Sequence, residues 1–288
     1  MLLATLRRSG LCSRGYKARR GYALKVHIRS LGYRTDLMIR LLEGSRVDDR
    51  GSYLAVRSPH NPTYWWGNFL LIAEPPEPGR AEADGWLDKF AAEFPKAKHV
   101  ALGIDVTEIS RVDVGAFVSA GLRMERSAVM TAQALHEPPR PYRDATYREL
   151  AGDDDWRQAR ELRAVLSEGE PAAEPRFLAA RITSERALTE VGHGSWFGAF
   201  VDGKLVAHLG LITDGAGIAR YQNVETHPEW RRRGLAGTLV WRAGQHGLET
   251  MAKTLVMAAD PDYVAIRVYR SVGFIDAETQ IGFERQPA

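Results

Sequence analysis

A chain of 288 residues with 44% hydrophobic and 26% charged content has the composition of a globular protein, long enough for two domains of ordinary size. Its longest apolar stretches fall far short of the roughly 20 residues a bilayer-spanning helix needs, so no membrane span is expected. The formal net charge is +3, yet residues 1–35 hold nine Lys and Arg and no acid, leaving 30 basic against 36 acidic residues in the remainder; an acidic body argues against a general nucleic-acid binder, whose affinity rests on many phosphate contacts.

The basic stretch at 1–21 reads as a disordered tail; the alternative is an organellar transit peptide, which its Arg content and lack of acids suit and its few serines do not. Cys12, the only cysteine, lies in it, which excludes disulfides, Cys-ligated zinc and a cysteine nucleophile in the body, and makes a reducing cytoplasm the default. No metal is expected.

Residues 22–136 carry no strong motif. "SPHNPTYWWGN", 58–68, joins turn residues to aromatics that line either an acceptor pocket or the seam between two lobes, the seam being favoured. "YWWGNFLLIAEPP", 64–76, predicts a strand, and the segment after it, "EPGRAEADGWLDKF", has acids and no arginine cluster. "KHVALGID", 98–105, is a short buried strand, and "AFVSAGLRMERSAVM" follows at 116–130. The linker is 137–144, rich in proline.

Beyond it, "ATYREL" predicts a short strand and "GDDDWRQARELRAVLSE" a helix, which Asp155 can cap with Gln158 at the reciprocal position. "PRFLAARITSERALTEVG" predicts a second helix, starting on proline and stopping at Gly192. Two strands flank Asp202-Gly203, a hairpin signal, and "IARYQNVET" is a third strand. It leads into "THPEWRRRGLAGTLV", 226–240, where Leu235, Leu239 and Ala243 recur every four residues as the buried stripe of a helix. "TLVMAAD", "YVAIRVYRSVG" and "FIDAETQIGFER" predict a strand, a helix closed by Gly273 and a last strand.

Free N–H groups at a helix start form an anion site with the helix dipole, and Gly234, Ala236 and Gly237 leave that start bare while Arg231, Arg232 and Arg233 surround it. A solvated basic turn is the other reading. Neither a G-x-x-x-x-G-K-[ST] loop nor a G-x-G-x-x-G after a strand occurs, so the familiar nucleotide loops are absent.

"RRRGLA", 231–236, resembles the R/Q-x-x-G-x-G/A signature of the GCN5-related N-acetyltransferases, the GNAT superfamily, and "DYVAIRVYRSVGF", 262–274, resembles that family's N-x-x-A-x-x-x-Y-x-x-x-G-F. The resemblance covers about 145–288 and implies an acetyl-CoA-dependent N-acetyltransferase, an acyltransferase acting on an amine by direct attack. It places the pyrophosphate of acetyl-CoA on Arg231 to Gly237, Leu235 and Ala236 included, and the pantetheine arm beside the backbone of Val224, Glu225 and Thr226. It makes Tyr269 the acid for the leaving thiolate and puts Asp262 and Ala265 near the cofactor. Asp262 stands where the family has Asn and reads as a helix cap. Glu225 is the candidate base, with a water relay as the alternative and His208 and Gln222 as further polar neighbours.

The first half echoes the second: "KHVALGID" parallels "KTLVMAAD", and 116–130 parallels 267–281, with Gly121-Leu122 standing at Gly273-Phe274. An internal repeat of this length points to a tandem α/β protein with GNAT folds built on a mixed, mostly antiparallel sheet, whose first lobe, 22–136, has lost its phosphate cradle; a chance likeness of two α/β lobes is the alternative. A non-catalytic acyl-CoA sensor and, further off, a nucleic-acid module are the competing functions. Acetyl-CoA and an amine are the expected partners, and the protein a monomer or homodimer.

Overall fold

The computed structural model describes residues 27–167 and 175–286; the tail at 1–21 and Cys12 lie outside them. The first half runs α1 (Leu31–Leu42), β1 (Arg46–Asp49), β2 (Tyr53–Arg57), β3 (Phe69–Ile72), α2 (Arg80–Glu93), β4 (Val100–Ile104), α3 (Val114–Ser119) and β5 (Arg123–Ala132). The second runs β6 (Thr146–Glu149), α4 (Gly152–Leu166), α5 (Pro175–Glu190), β7 (Gly194–Val201), β8 (Lys204–Thr213), β9 (Gly217–Thr226), α6 (Leu235–Thr250), β10 (Ala252–Ala259), α7 (Ala265–Arg270) and β11 (Ile275–Arg285). Each half thus contains a hairpin, a third strand, a helix, a strand parallel to the third, a short helix and a closing strand. No helix among the described residues is long and apolar enough to cross a membrane.

All described strands join one sheet, in the order β1-β2-β3-β4-β11-β5-β10-β9-β8-β7-β6. Only β3–β4 and β9–β10 pair in parallel, each across a helical crossover. The closing strands are exchanged. β5 pairs with β10, β11 pairs with β4, and the two run antiparallel to each other from Thr131 opposite Ile275 to Arg123 opposite Glu284. The ranges 22–136 and 145–288 therefore each end in a strand that completes the other's half of the sheet. Packing explains why the exchange holds. Ile281 and Phe283 of β11 are buried in the first lobe's core, where the Phe283 ring stacks on Phe117 at 4.4 Å. Ala128, Met130 and Ala132 of β5 are buried under α6 and α7 in the second. Withdrawing either strand would expose the core that it completes, at about 1.5–3 kcal/mol for each large apolar side chain.

Local chemistry sets the elements that frame the site. The β7–β8 hairpin turns on Asp202 and Gly203, both at positive φ (49° and 77°), as a two-residue primed turn requires. The α4 start differs from expectation: its cap residue is Ala151, and Asp155, already inside the first turn, reaches back to accept the Ala151 N–H at 2.7 Å while pairing with Arg148. Gln158 instead donates to Asp154 and accepts from Leu205 N. An acid in the first turn still favours the helix dipole.

Candidate active site

β9 and β10 pair from Gly217 opposite Ala252 to Arg220 opposite Val256 and then part. β10 continues against β5, while residues 221–226 of β9 lose their neighbour on that side, so the sheet opens into a cleft. A bulge marks the start of the opening: Asn223 and Val224 together face Leu209 of β8, and Asn223 sits at φ 47°, a conformation asparagine tolerates better than most residues. The Asn223 amide is fixed by donating to Glu185 Oε1 at 2.8 Å. His227 N–H donates to Val206 O on β8. Strand alternation therefore turns the backbone groups of Thr226 and Val224 to the open side. Arg231 Nε donates to the Thr226 carbonyl at 3.3 Å.

The loop into α6 passes through two left-handed residues, Arg232 (φ 61°) and Gly234 (φ 90°). From 232 to 237, six consecutive backbone N–H groups find no acceptor among the described residues. Such a run is an anion-binding nest at the positive end of a helix. Arg231, Arg232 and Arg233 are exposed around it and none pairs with a carboxylate among the described residues; Arg233 lies over the Trp230 ring at 4.5 Å. Leu235 is sealed in the core, so it offers only its N–H, while Ala236 is half-buried. The linker explains the glycines further. A Cβ at 234 would collide with the Arg140 carbonyl, and one at 237 would stand 3.3 Å from Pro138. Tyr142 N also donates to Thr238 Oγ1, so the linker is docked along the start of α6. Substituting Gly234 would thus disturb this docking as well as the nest.

Val224, Leu235, Ala265 and Tyr269 belong to one packed cluster, so the fold brings the two motifs together at the cleft. Tyr269 is 6% exposed, and its phenol takes no hydrogen-bond partner among the described residues. Burial first, then the nearby Tyr263, pushes its pKa up to about 12. Asp262 does not cap α7. The helix starts at Ala265 with Val264 in the cap position, too far along the chain for Asp262, whose exposed carboxylate pairs instead with Arg126 of β5 at 2.8 Å.

Glu225 points to the other face, beneath α4 and α5. Its oxygens lie 3.1 Å from Arg163 Nε and 2.8 Å from His208 Nε2. Trp196 Nε1 donates to His208 Nδ1 at 2.8 Å, which leaves the imidazole hydrogen on Nε2, close to Glu225 but out of line for a hydrogen bond to it. Burial alone would raise the Glu225 carboxyl, but the His208 contact and the Arg163 charge outweigh it and hold the group below the ordinary carboxylate value. Arg163 also grips both oxygens of Glu185, at 2.7 and 2.8 Å. Gln222 stays at the cleft edge, with its amide on its own Tyr221 carbonyl. The reading from sequence missed Arg163 and Glu185. Their signal is spacing: Glu185 interrupts the buried series Leu178, Ile182, Leu188, and Arg163 follows buried Ala159 by four. Among the described residues, no group of three or more His, Cys, Asp or Glu could hold a metal ion.

Residues 146–274 match the model of the family described as "Acetyltransferase (GNAT) family". Among solved structures, the chain is similar to a GCN5-related N-acetyltransferase from Kribbella flavida (19% identity, 89% of this chain and 95% of that one, TM-score 0.61). It is also similar to a GCN5-related N-acetyltransferase from Sphaerobacter thermophilus (18%, 83% and 82%, TM-score 0.54) and to a tandem GNAT protein from the clavulanic acid biosynthesis pathway (16%, 87% and 88%, TM-score 0.52). None of the curated proteins matches. The match over residues 146–274 makes the second lobe similar to that family, and the sheet order that repeats in the first lobe gives the chain a tandem GNAT fold.

Proposed function

We propose that the second lobe transfers the acetyl group of acetyl-CoA to a primary amine. The observation that carries this reading is the run of six N–H groups at 232–237 without an acceptor among the described residues, ringed by three arginines that likewise meet no carboxylate there and following directly on the strand that parts from β10. The nest and Arg231 to Arg233 hold the pyrophosphate, and the Val224 and Thr226 backbone aligns the pantetheine arm as an added strand would be aligned. A backbone N–H of that stretch polarises the thioester carbonyl.

The amine attacks the carbonyl carbon, the C–N bond forms and the C–S bond breaks. The proton shed by the attacking nitrogen leaves toward Glu225, directly or through water, and the sulfur departs as thiolate. Because Glu225 is held below the ordinary carboxylate value, it stays ionised and serves better to orient the amine and its departing proton than as a strong base. Tyr269, at about 12, keeps its proton at neutral pH. It is a weaker acid than a thiol near 8.5, so its contribution is a hydrogen bond to the sulfur as charge builds there. The test is calorimetric titration with acetyl-CoA followed by thiol release against a panel of amines. Saturable binding with amine-dependent thiol release supports the reading; binding without release under every amine leaves an acyl-CoA sensor, and no binding removes the reading.

A further inference from the structure

A small pocket of about 70 Å³ lies where the lobes meet, between α1, the 58–64 segment and α5. Sites that enclose a whole ligand are typically about 300–1,000 Å³, so this one has room for one end of a molecule. Two guanidiniums form its wall, Arg40 of α1 and Arg181 of α5, with side chains only 6% and 12% exposed. They share one carboxylate, Glu43, at 2.6 and 3.0 Å. Both also stand against the Tyr64 ring, at 4.8 and 5.0 Å from its centre. Of the five donors of Arg40, only those on Nη1 meet a carboxylate; Nε and Nη2 find no partner among the described residues, yet neither is sealed from the pocket. A buried guanidinium with open donors is a demand for an acceptor.

A chain of buried ion pairs links this wall to the candidate active site. Arg181 reaches Glu185 one turn along α5 at 3.5 Å, Glu185 is gripped by Arg163, and Arg163 contacts Glu225. Along this chain of ion pairs charge is ordered: two cations against one anion at the pocket, two anions against one cation at Glu225. A molecule carrying a carboxylate at one end and an amine at the other is complementary to that order.

We propose that the seam pocket is an anion site that holds the carboxylate end of the amine acceptor, so that the natural acceptor is an amino acid or a larger molecule bearing both groups. The acceptor part of this proposal rests on the acetyltransferase reading of the second lobe; the anion site itself does not.

The anion site is tested by calorimetry with glutarate as probe, against glutaramide as its uncharged counterpart, on the full chain. Glutarate should bind and glutaramide should not. Ser184→Glu, which places a carboxylate in the pocket without touching an ion pair, should weaken glutarate at least tenfold, and Arg40→Gln should do the same. Melting temperature checks that each variant is folded, and Ser184→Glu keeps the test open if Arg40→Gln does not fold. Equal binding of acid and amide, or glutarate affinity unchanged in folded Ser184→Glu, overturns the site. The acceptor role is read from kcat/KM for straight-chain ω-amino acids against their amides. The acids should lead at least tenfold, with the advantage lost through KM in Ser184→Glu. A ratio near one at every length overturns that role. Acetyl-CoA titration of the same samples shows separately whether the acetyltransferase reading stands.

Discussion

The two lobes repeat one order of elements, yet the same corner of each is built for opposite purposes. In the second lobe β9 and β10 separate after four paired positions, and α6 begins with six free N–H groups. In the first, β3 and β4 stay together to their ends at Ile72 and Ile104, and Asp105 N donates back to Ile72 O. The Asp105 carboxylate is taken by the N–H groups of Arg29 and Ser30, and Arg29 covers Ala73 and Glu74. The approach to α2 carries Pro75, Pro76 and Pro78, which lack N–H groups. Gly79 N donates to Asp113 Oδ2 at 3.1 Å, so a carboxylate of the protein itself fills the place of an anion. Where the second lobe has Tyr269, the repeat puts Phe117, a buried ring without a hydroxyl. The fold provides the corner; strand separation, free N–H groups and the phenol make it a candidate site.

The largest effect should come from the hydroxyl the first lobe lacks. Tyr269→Phe keeps the buried ring and removes the hydroxyl, so turnover with any amine that supports it should fall about 10²–10³-fold, the usual worth of one hydrogen-bond donor to developing charge, while acetyl-CoA affinity and melting temperature barely change. Turnover near that of the unmodified protein would assign Tyr269 to packing.

Next comes a substitution that makes the second lobe resemble the first. Ala236→Glu sets a carboxylate in the first turn of α6, as Asp113 does for α2, without meeting the linker at Gly234. Acetyl-CoA affinity by calorimetry should fall about 100-fold. Stability should hold or rise by a few tenths of a kcal/mol, because an acid suits a helix start. A parallel loss of affinity and folding would mean that the site had been disrupted rather than occupied.

Much of this contrast was legible in the sequence. The triple arginine and glycine loop, the period of Leu235, Leu239 and Ala243, and the Asp202-Gly203 turn depend on neighbours along the chain, and local chemistry decides them. The absence of an arginine cluster after β3 was equally local. What stayed hidden depends on distant partners. The exchange of β5 and β11 is set by which core receives Met130 and Phe283. The bulge at Asn223 is set by Glu185, 38 residues away. Asp155 and Asp262 were read as caps from local pattern alone; Asp155 lies inside the first turn, where it pairs with Arg148 while accepting the Ala151 N–H, and Arg126 claims Asp262 instead.

A smaller effect separates structural from functional carboxylates. In the first lobe the Arg50 hydrogen bond, against some burial cost and helped by Tyr53 and Arg57, holds Glu93 at about 2. Its folded value lies below the ordinary 4.5, so its stabilisation is complete above about pH 4.5 and is lost as pH falls toward 2. The melting temperature gap between the unmodified protein and Glu93→Gln should therefore be constant from pH 7 to about 5 and close below that. A gap independent of pH would contradict the ion-pair assignment. The smallest effect belongs to Asp113→Ala, which removes the cap of α3 and the acceptor for Gly79. Chemical denaturation should show a loss of about 0.5–2 kcal/mol, with no acetyl-CoA site gained in the first lobe.

The contrast between the lobes is tested most directly by the stoichiometry of acetyl-CoA binding to the full chain. Titration calorimetry should give one site per chain, abolished or weakened about 100-fold by Ala236→Glu. Two equivalent sites, or one site indifferent to Ala236→Glu, would contradict the assignment of the anion nest to α6 alone.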